Sequence, residues 1–142
     1  MPRPRTPDLA VDVIIELADR PGRPIVLIKR RFAPAGHALP GGFVDIGETV
    51  EAAARREARE ETGLDVHLGR LLGVYSEPSR DPRGHTVSLV YIATAKGEPA
   101  PGDDAAGILV VNPADAPPLV FDHGQILNDY LAARASCRPE GG

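Results

Sequence analysis

The stretch GFVDIGETVEAAARREAREETGL, Gly42 to Leu64, decides how this sequence folds. Its second half predicts a helix over 49–62. Thr49 is an N-cap residue, Glu51 lies in the first turn where the helix dipole favours an anion, and Gly63 supplies a left-handed stop. Val50, Ala54 and Ala58, with Ala53 beside them, form a small-residue face suited to close packing on a sheet. Glu57, Glu60 and Glu61 fall at i, i+3 and i+4, so they share a face and repel by about 0.2–0.5 kcal/mol per pair. They also crowd the helix C-terminal half, where the dipole disfavours anions. Carboxylates placed against both effects require a cation, and a hard, oxygen-seeking ion such as Mg²⁺ suits them. Arg56 lies one turn before Glu60 and can hold and orient that carboxylate. Ahead of the helix, Pro40-Gly41-Gly42 lets backbone approach a metal or a phosphate. Taken alone, REAREE is equally a solvated helix face.

Outward from this segment the pattern alternates between strands and helices. Leu9 to Leu17 reads as a strand, with Val11, Val13 and Ile15 alternating against Asp12 and Glu16. A turn at Asp19-Arg20-Pro21-Gly22 leads to a second, more apolar strand, 24–29, and the Pro- and Gly-rich stretch 31–42 reads as a loop. Val66 to Tyr75 and Thr86 to Ala95 are further strands, joined by a turn-rich segment. Gly97 to Gly107 is a loop before a short strand, 108–111. Asp122-His123-Gly124-Gln125 fits a capping box, Asp at N-cap and Gln at N3, for a last helix ending near Ala135. The order predicts an α/β fold with a mixed sheet between helices.

Composition narrows the function. The 142 residues suit one domain, 1–142, with 1–8 and 137–142 expected to be flexible tails. A formal net charge of −4 argues against general nucleic-acid binding, which needs a basic face. Cys137 is the one cysteine, which suits a reducing compartment. No apolar run approaches the ~20 residues that span a bilayer. The expectation is a cytoplasmic protein that binds a small molecule, with neither nucleic acid nor membrane as partner.

The spacing Gly42, five residues, Glu48, seven residues, Arg56-Glu57, two residues, Glu60-Glu61, one residue, Gly63-Leu64 resembles the box of the Nudix hydrolases. Eight fixed residues, each at a background of about 1 in 15, give a chance match of order 10⁻⁹ per window. LPGGFVD at 39–45 and FDHGQIL at 121–127 are also similar to small members of that family. The resemblance implies the Nudix fold, an α/β/α sandwich around a mixed sheet. It implies Glu57, Glu60 and Glu61 as main Mg²⁺ ligands, with Mn²⁺ as a substitute. By the same likeness Glu48 adds a metal contact or braces the arginine, and a carbonyl near Gly41 or Gly42 is a further ligand.

The implied reaction is water attack on a pyrophosphate bond, with Glu60, Glu61 and Arg56 in the catalytic group. Asp103 and Asp104 remain alternative bases and are equally a turn; relatives often carry glutamate and tryptophan where Gly107 and Val110 stand here. Arg30 or Arg31 is expected to meet the leaving phosphate, or else to be a surface residue at a strand end. The segment 74–91 resembles ADP-ribose pyrophosphatases, with Pro78 matching their distinguishing proline. Arg83 and Asp104 join Gly41, Arg30 and Arg31 as expected substrate contacts, although 80–85 also reads as a tight hairpin. His37 is either a pocket or a solvent residue, and His85 and His123 are expected to be structural. The expected reaction converts ADP-ribose to AMP and ribose 5-phosphate. The alternatives are a nucleoside triphosphate pyrophosphohydrolase acting on oxidised or non-canonical nucleotides and a non-catalytic nucleotide sensor. The resemblance further implies a homodimer paired through N-terminal strands.

Overall fold

The computed structural model describes residues 2–136, so Met1, Cys137 and the expected tail 137–142 lie outside the described residues. In chain order the elements are β1 (Asp8–Leu17), β2 (Ile25–Arg30), β3 (His37–Ala38), β4 (Gly41–Phe43), α1 (Val50–Thr62), β5 (His67–Tyr75), β6 (Thr86–Ala95), β7 (Ala105–Val111) and α2 (His123–Ser136). Asp8, expected in a tail, is the first residue of β1, and its N–H donates to the His85 carbonyl at 3.1 Å.

The strands form one seven-stranded mixed sheet. β1 runs parallel to β6 along its whole length, and on its other side it meets β4 through Ala10–Asp12 and β2 at Glu16. β7 pairs with the far side of β2, and β5 pairs antiparallel with β6. One face packs on α1, where Val11, Val13 and Ile15 meet Ala53, Ala54 and Ala58, all fully buried. The other packs on α2, where Ile14 and Leu27 meet Ile126 and Tyr130. This is the expected α/β/α sandwich.

Because both faces are covered, the alternation along β1 does not mark a solvated side. Asp12 and Glu16 are each only 8% exposed. Asp12 accepts from Ser88 Oγ at 2.5 Å; Glu16 accepts from Tyr130 OH at 2.5 Å and pairs with Arg23. The expected loop 31–42 is also more ordered than its prolines suggest, since β3 and the start of β4 fall within it and pair with β2 and β1.

The caps of α1 match their sequence signals. Thr49 accepts from Ala52 N–H, and Gly63 is left-handed at φ 72° with its N–H on the Arg59 carbonyl. The capping box before α2 does not form as expected. Asp122 directs both carboxylate oxygens to Arg80, at 2.9 and 2.7 Å, because that guanidinium is buried and demands a paired anion more strongly than a helix end reached by water. Among the described residues no helix is long and apolar enough to cross a membrane.

Candidate active site

A cleft of about 360 Å³ opens where the N-terminal half of β1, β4 and α1 meet the end of β2, the β5–β6 turn and the start of α2. One wall is acidic. Glu57 and Glu61, one turn apart on α1, both reach it, and Asp12 and Asp104 stand beside them. Glu61 is 9% exposed and accepts from the Gly41 N–H at 3.4 Å. Burial, reinforced by the negative charge of Glu57, pushes the Glu61 carboxyl up to about 8. Burial also raises Glu57, opposed by its bond to Arg56. Among the described residues the one arginine bonded to these two glutamates is Arg56, which reaches Glu57 but not Glu61. An oxygen-seeking cation fits this donor set.

Gly42 forms the floor beneath Glu57. A Cβ at that position would lie 2.5 Å from Glu57 Cδ, so any side chain there would displace the carboxylate.

Arg56 organises the acidic side from behind. It grips Glu48 through Nε and Nη2, at 2.7 and 2.8 Å, and donates through Nη1 to Glu57 at 2.7 Å and Glu60 at 3.2 Å. Its Nη2 also reaches the Phe43 carbonyl at 3.0 Å, tying α1 to β4. Hydrogen bonding to Arg56 holds the Glu48 carboxyl down to about 2. The same contacts raise the Arg56 guanidinium above its ordinary range, Glu48 contributing most.

The expected trio therefore divides. Glu57 and Glu61 face the cleft, whereas the Glu60 side chain is 58% exposed and turned to Arg56. Among the described residues no three His, Cys, Asp or Glu side chains stand close enough to enclose an ion. Arg56 draws Glu48, Glu57 and Glu60 around itself.

The rest of the lining is basic and aromatic. Arg30 and Arg83 belong to it with Phe32, Phe43 and Phe121. Arg83 is held by Asp81 at 2.8 Å, and Arg30 donates to the Pro34 and Ala33 carbonyls. Of the expected substrate contacts, Gly41, Arg30, Arg83 and Asp104 line the cleft; Arg31 and Pro78 do not. Arg31 instead reaches the Ala105 carbonyl at 3.4 Å.

Sequence reasoning passed over Asp12, Arg80, Phe121 and the cleft-lining place of His123. His123 Nδ1 accepts from the Leu39 N–H at 3.0 Å, and its Nε2 lies 3.6 Å from Asp12. Burial raises Asp12, but the charge and hydrogen bond of His123, with Ser88 and Arg80, outweigh it and leave the carboxyl below its usual range. An acid inside an apolar strand and a histidine after a Phe-Asp pair were the available signals. Each alone is ordinary.

A family model described as NUDIX domain matches residues 6–130. The chain is 49% identical over 128 residues to an ADP-ribose pyrophosphatase of Methanocaldococcus jannaschii, covering 88% of this chain and 73% of that protein. Among solved structures, a MutT/nudix family protein from Enterococcus faecalis superposes with a TM-score of 0.82 at 26% identity, over 96% of this chain and 65% of that one. A bifunctional NMN adenylyltransferase/ADP ribose pyrophosphatase from Francisella tularensis, complexed with AMP and a manganese ion, gives 0.78 at 26% identity, over 90% and 42%.

Proposed function

We propose, on the premise that this chain belongs to the NUDIX domain family, that it hydrolyses the pyrophosphate bond of ADP-ribose, releasing AMP and ribose 5-phosphate, with Mg²⁺ as cofactor. The observation that carries this reading is the meeting, in one cleft, of Glu57 and Glu61 with Arg30 and Arg83. A nucleoside diphosphate derivative presents a charged diphosphate between two neutral ends and meets both sets of charges at once. The pyrophosphatase named for Methanocaldococcus jannaschii supports ADP-ribose in particular.

In this reading Glu57 and Glu61 hold the metal, with the Gly42 carbonyl and, after local adjustment, Glu60 and Glu48. A bound divalent ion neutralises diphosphate charge and makes water a better nucleophile near neutral pH. The protein's own groups do the rest. Arg56 fixes the carboxylates from behind. Glu61 stands in the cleft where a carboxylate can take a proton from water, while Glu60 is turned to Arg56 and Asp104, which lines the same cleft, is the alternative. Arg30 and Arg83 take negative charge on the phosphate side. Mn²⁺ is expected to substitute, in keeping with the manganese in the Francisella tularensis complex.

The proposal treats 1–142 as a single catalytic unit, cytoplasmic in keeping with its lone cysteine. It also includes a homodimer. β1 is flanked on both sides by partner strands, so residues 2–7, ahead of it, rather than a free edge of β1, are the segment offered for that contact.

A screen of ADP-ribose, dinucleoside polyphosphates and nucleoside triphosphates with Mg²⁺ tests the assignment. AMP from ADP-ribose is the expected product. Inorganic pyrophosphate released from triphosphates as the dominant activity would favour the nucleotide-cleaning alternative. Hydrolysis unchanged by Glu61→Gln would overturn the role of α1.

A further inference from the structure

Phe121 has a left-handed backbone, φ 57°, a conformation that bulky residues rarely adopt because Cβ crowds the neighbouring carbonyl. Its neighbours hold it there. Val120 N–H donates to the His37 carbonyl at 2.9 Å, Asp122 is locked by both oxygens to Arg80, and His123 accepts from the Leu39 N–H. The positions on either side of Phe121 are thus pinned to two separate parts of the fold, the segment 37–39 and the β5–β6 turn. Surroundings that over-determine an unfavourable backbone point to a side chain that must be aimed.

The Phe121 ring is in reach of two cations. The Arg30 guanidinium carbon lies 5.1 Å from its centroid and that of Arg83 lies 5.0 Å away. Both distances fall in the range where the ring's electron-rich face attracts a cation. The arginines come from the end of β2 and from the β5–β6 turn, and like charges brought this close repel. Carbonyls of Ala33 and Pro34 anchor Arg30, and Asp81 anchors Arg83. Phe121 is the element the two share. The chain's three phenylalanines all line this cleft, and none belongs to the buried core.

We propose that Phe121 is a positioning residue that holds Arg30 and Arg83 as a fixed pair of guanidiniums for the diphosphate of the substrate. Two adjacent phosphoryl groups offer oxygens to two such planar forks, and a pair already separated and oriented loses little freedom on binding. The proposal rests on the diphosphate reading above, so its test has one arm that does not depend on ADP-ribose.

Phe121→Gly removes the ring and accepts the left-handed backbone. It is expected to raise KM for ADP-ribose about tenfold, with kcat falling far less, and to weaken inorganic pyrophosphate binding in the presence of Mg²⁺ about tenfold by calorimetry. Phe121→Tyr keeps the ring and should restore both values to within about twofold. In an Arg83→Ala background the glycine substitution should add less than about twofold, because the pair is already broken. A residue important only for folding would lower Tm and kcat together and multiply with Arg83→Ala. That pattern, or KM and pyrophosphate affinity unchanged in Phe121→Gly, overturns the proposal. Should Phe121→Gly not fold, Phe121→Leu takes its place with the same expectations. If wild type ignores ADP-ribose, the function reading fails, while pyrophosphate binding still decides the clamp: loss on removing the ring supports it, and no binding to wild type overturns it.

Discussion

At the scale of single residues, Glu61 combines burial with nearby negative charge, and its protonation follows from both. Its folded carboxyl sits at about 8 against 4.5 for the free side chain. The folded state therefore keeps a proton that the unfolded chain releases, and stability falls as pH rises between those values. Carboxyls held low, such as Glu48 at about 2, contribute stability that is fully present throughout this window and is lost only as pH falls below it. The Tm of metal-free protein is expected to drop between about pH 5 and pH 8. Mg²⁺ should raise Tm more at the upper pH, since it binds the ionised form, and Glu61→Gln should flatten the pH dependence. A Tm rising steadily through that window would contradict the raised carboxyl. Gly42 is governed by space instead. A methyl group there would lie 2.5 Å from Glu57 Cδ, displacing the carboxylate, so Gly42→Ala is expected to lower kcat about 100-fold in steady-state assays. Activity within a few-fold of wild type would mean that Glu57 can move without consequence.

At the scale of elements, α1 is set locally at both ends while its middle is shaped by packing. The Thr49 hydroxyl satisfies the Ala52 N–H at 3.1 Å, and left-handed Gly63 returns its N–H to Arg59. Thr49→Ala is expected to cost about 1 kcal/mol in urea unfolding with kcat nearly unchanged, because the cap lies away from the cleft. The alanines between these ends let the helix settle on β1 closely enough for Arg56 to reach the Phe43 carbonyl. α2 begins differently. Its lead residue serves an ion pair across the molecule, and its first turn delivers His123 to the cleft.

Across the whole molecule, Arg80 and Asp122 join the β5–β6 turn to the start of α2, with Arg80 lining the cleft. The Arg80 side chain is 4% exposed and its partner 15%. Asp122→Ala would leave a guanidinium buried without its anion, at a cost of about 3–5 kcal/mol measured by denaturant unfolding. The double replacement Arg80→Leu with Asp122→Leu should recover part of that stability, since the desolvation penalty disappears with the charges. KM should rise in Asp122→Ala even where the protein remains folded, because the same turn carries Arg83 and the same junction carries Phe121. A variant that loses stability alone would separate the ion pair from the site.

What the sequence determined by itself was whatever depends on near neighbours in the chain. The carboxylate spacing on α1, its caps and the Gly-Gly approach are short-range patterns, because helix periodicity and cap chemistry act over a few residues. The five longer strands were legible for the same reason, whereas the short β3 and β4 fall in a stretch that reads as a loop, and the family spacing made the sandwich an expectation. The tertiary structure alone decided which carboxylates enter the cleft. Glu60 shares the helix face of Glu57 and Glu61 in sequence, yet Arg56, tied to β4, turns it outward. It also decided that Asp12 and Glu16 are buried, since a two-residue period cannot reveal that a second helix covers the other face. Arg30, Arg83 and Phe121 meet only because separate strands and a helix junction bring them together. Each residue alone reads as surface or core, and only their distances make them a pair of charges sharing one ring.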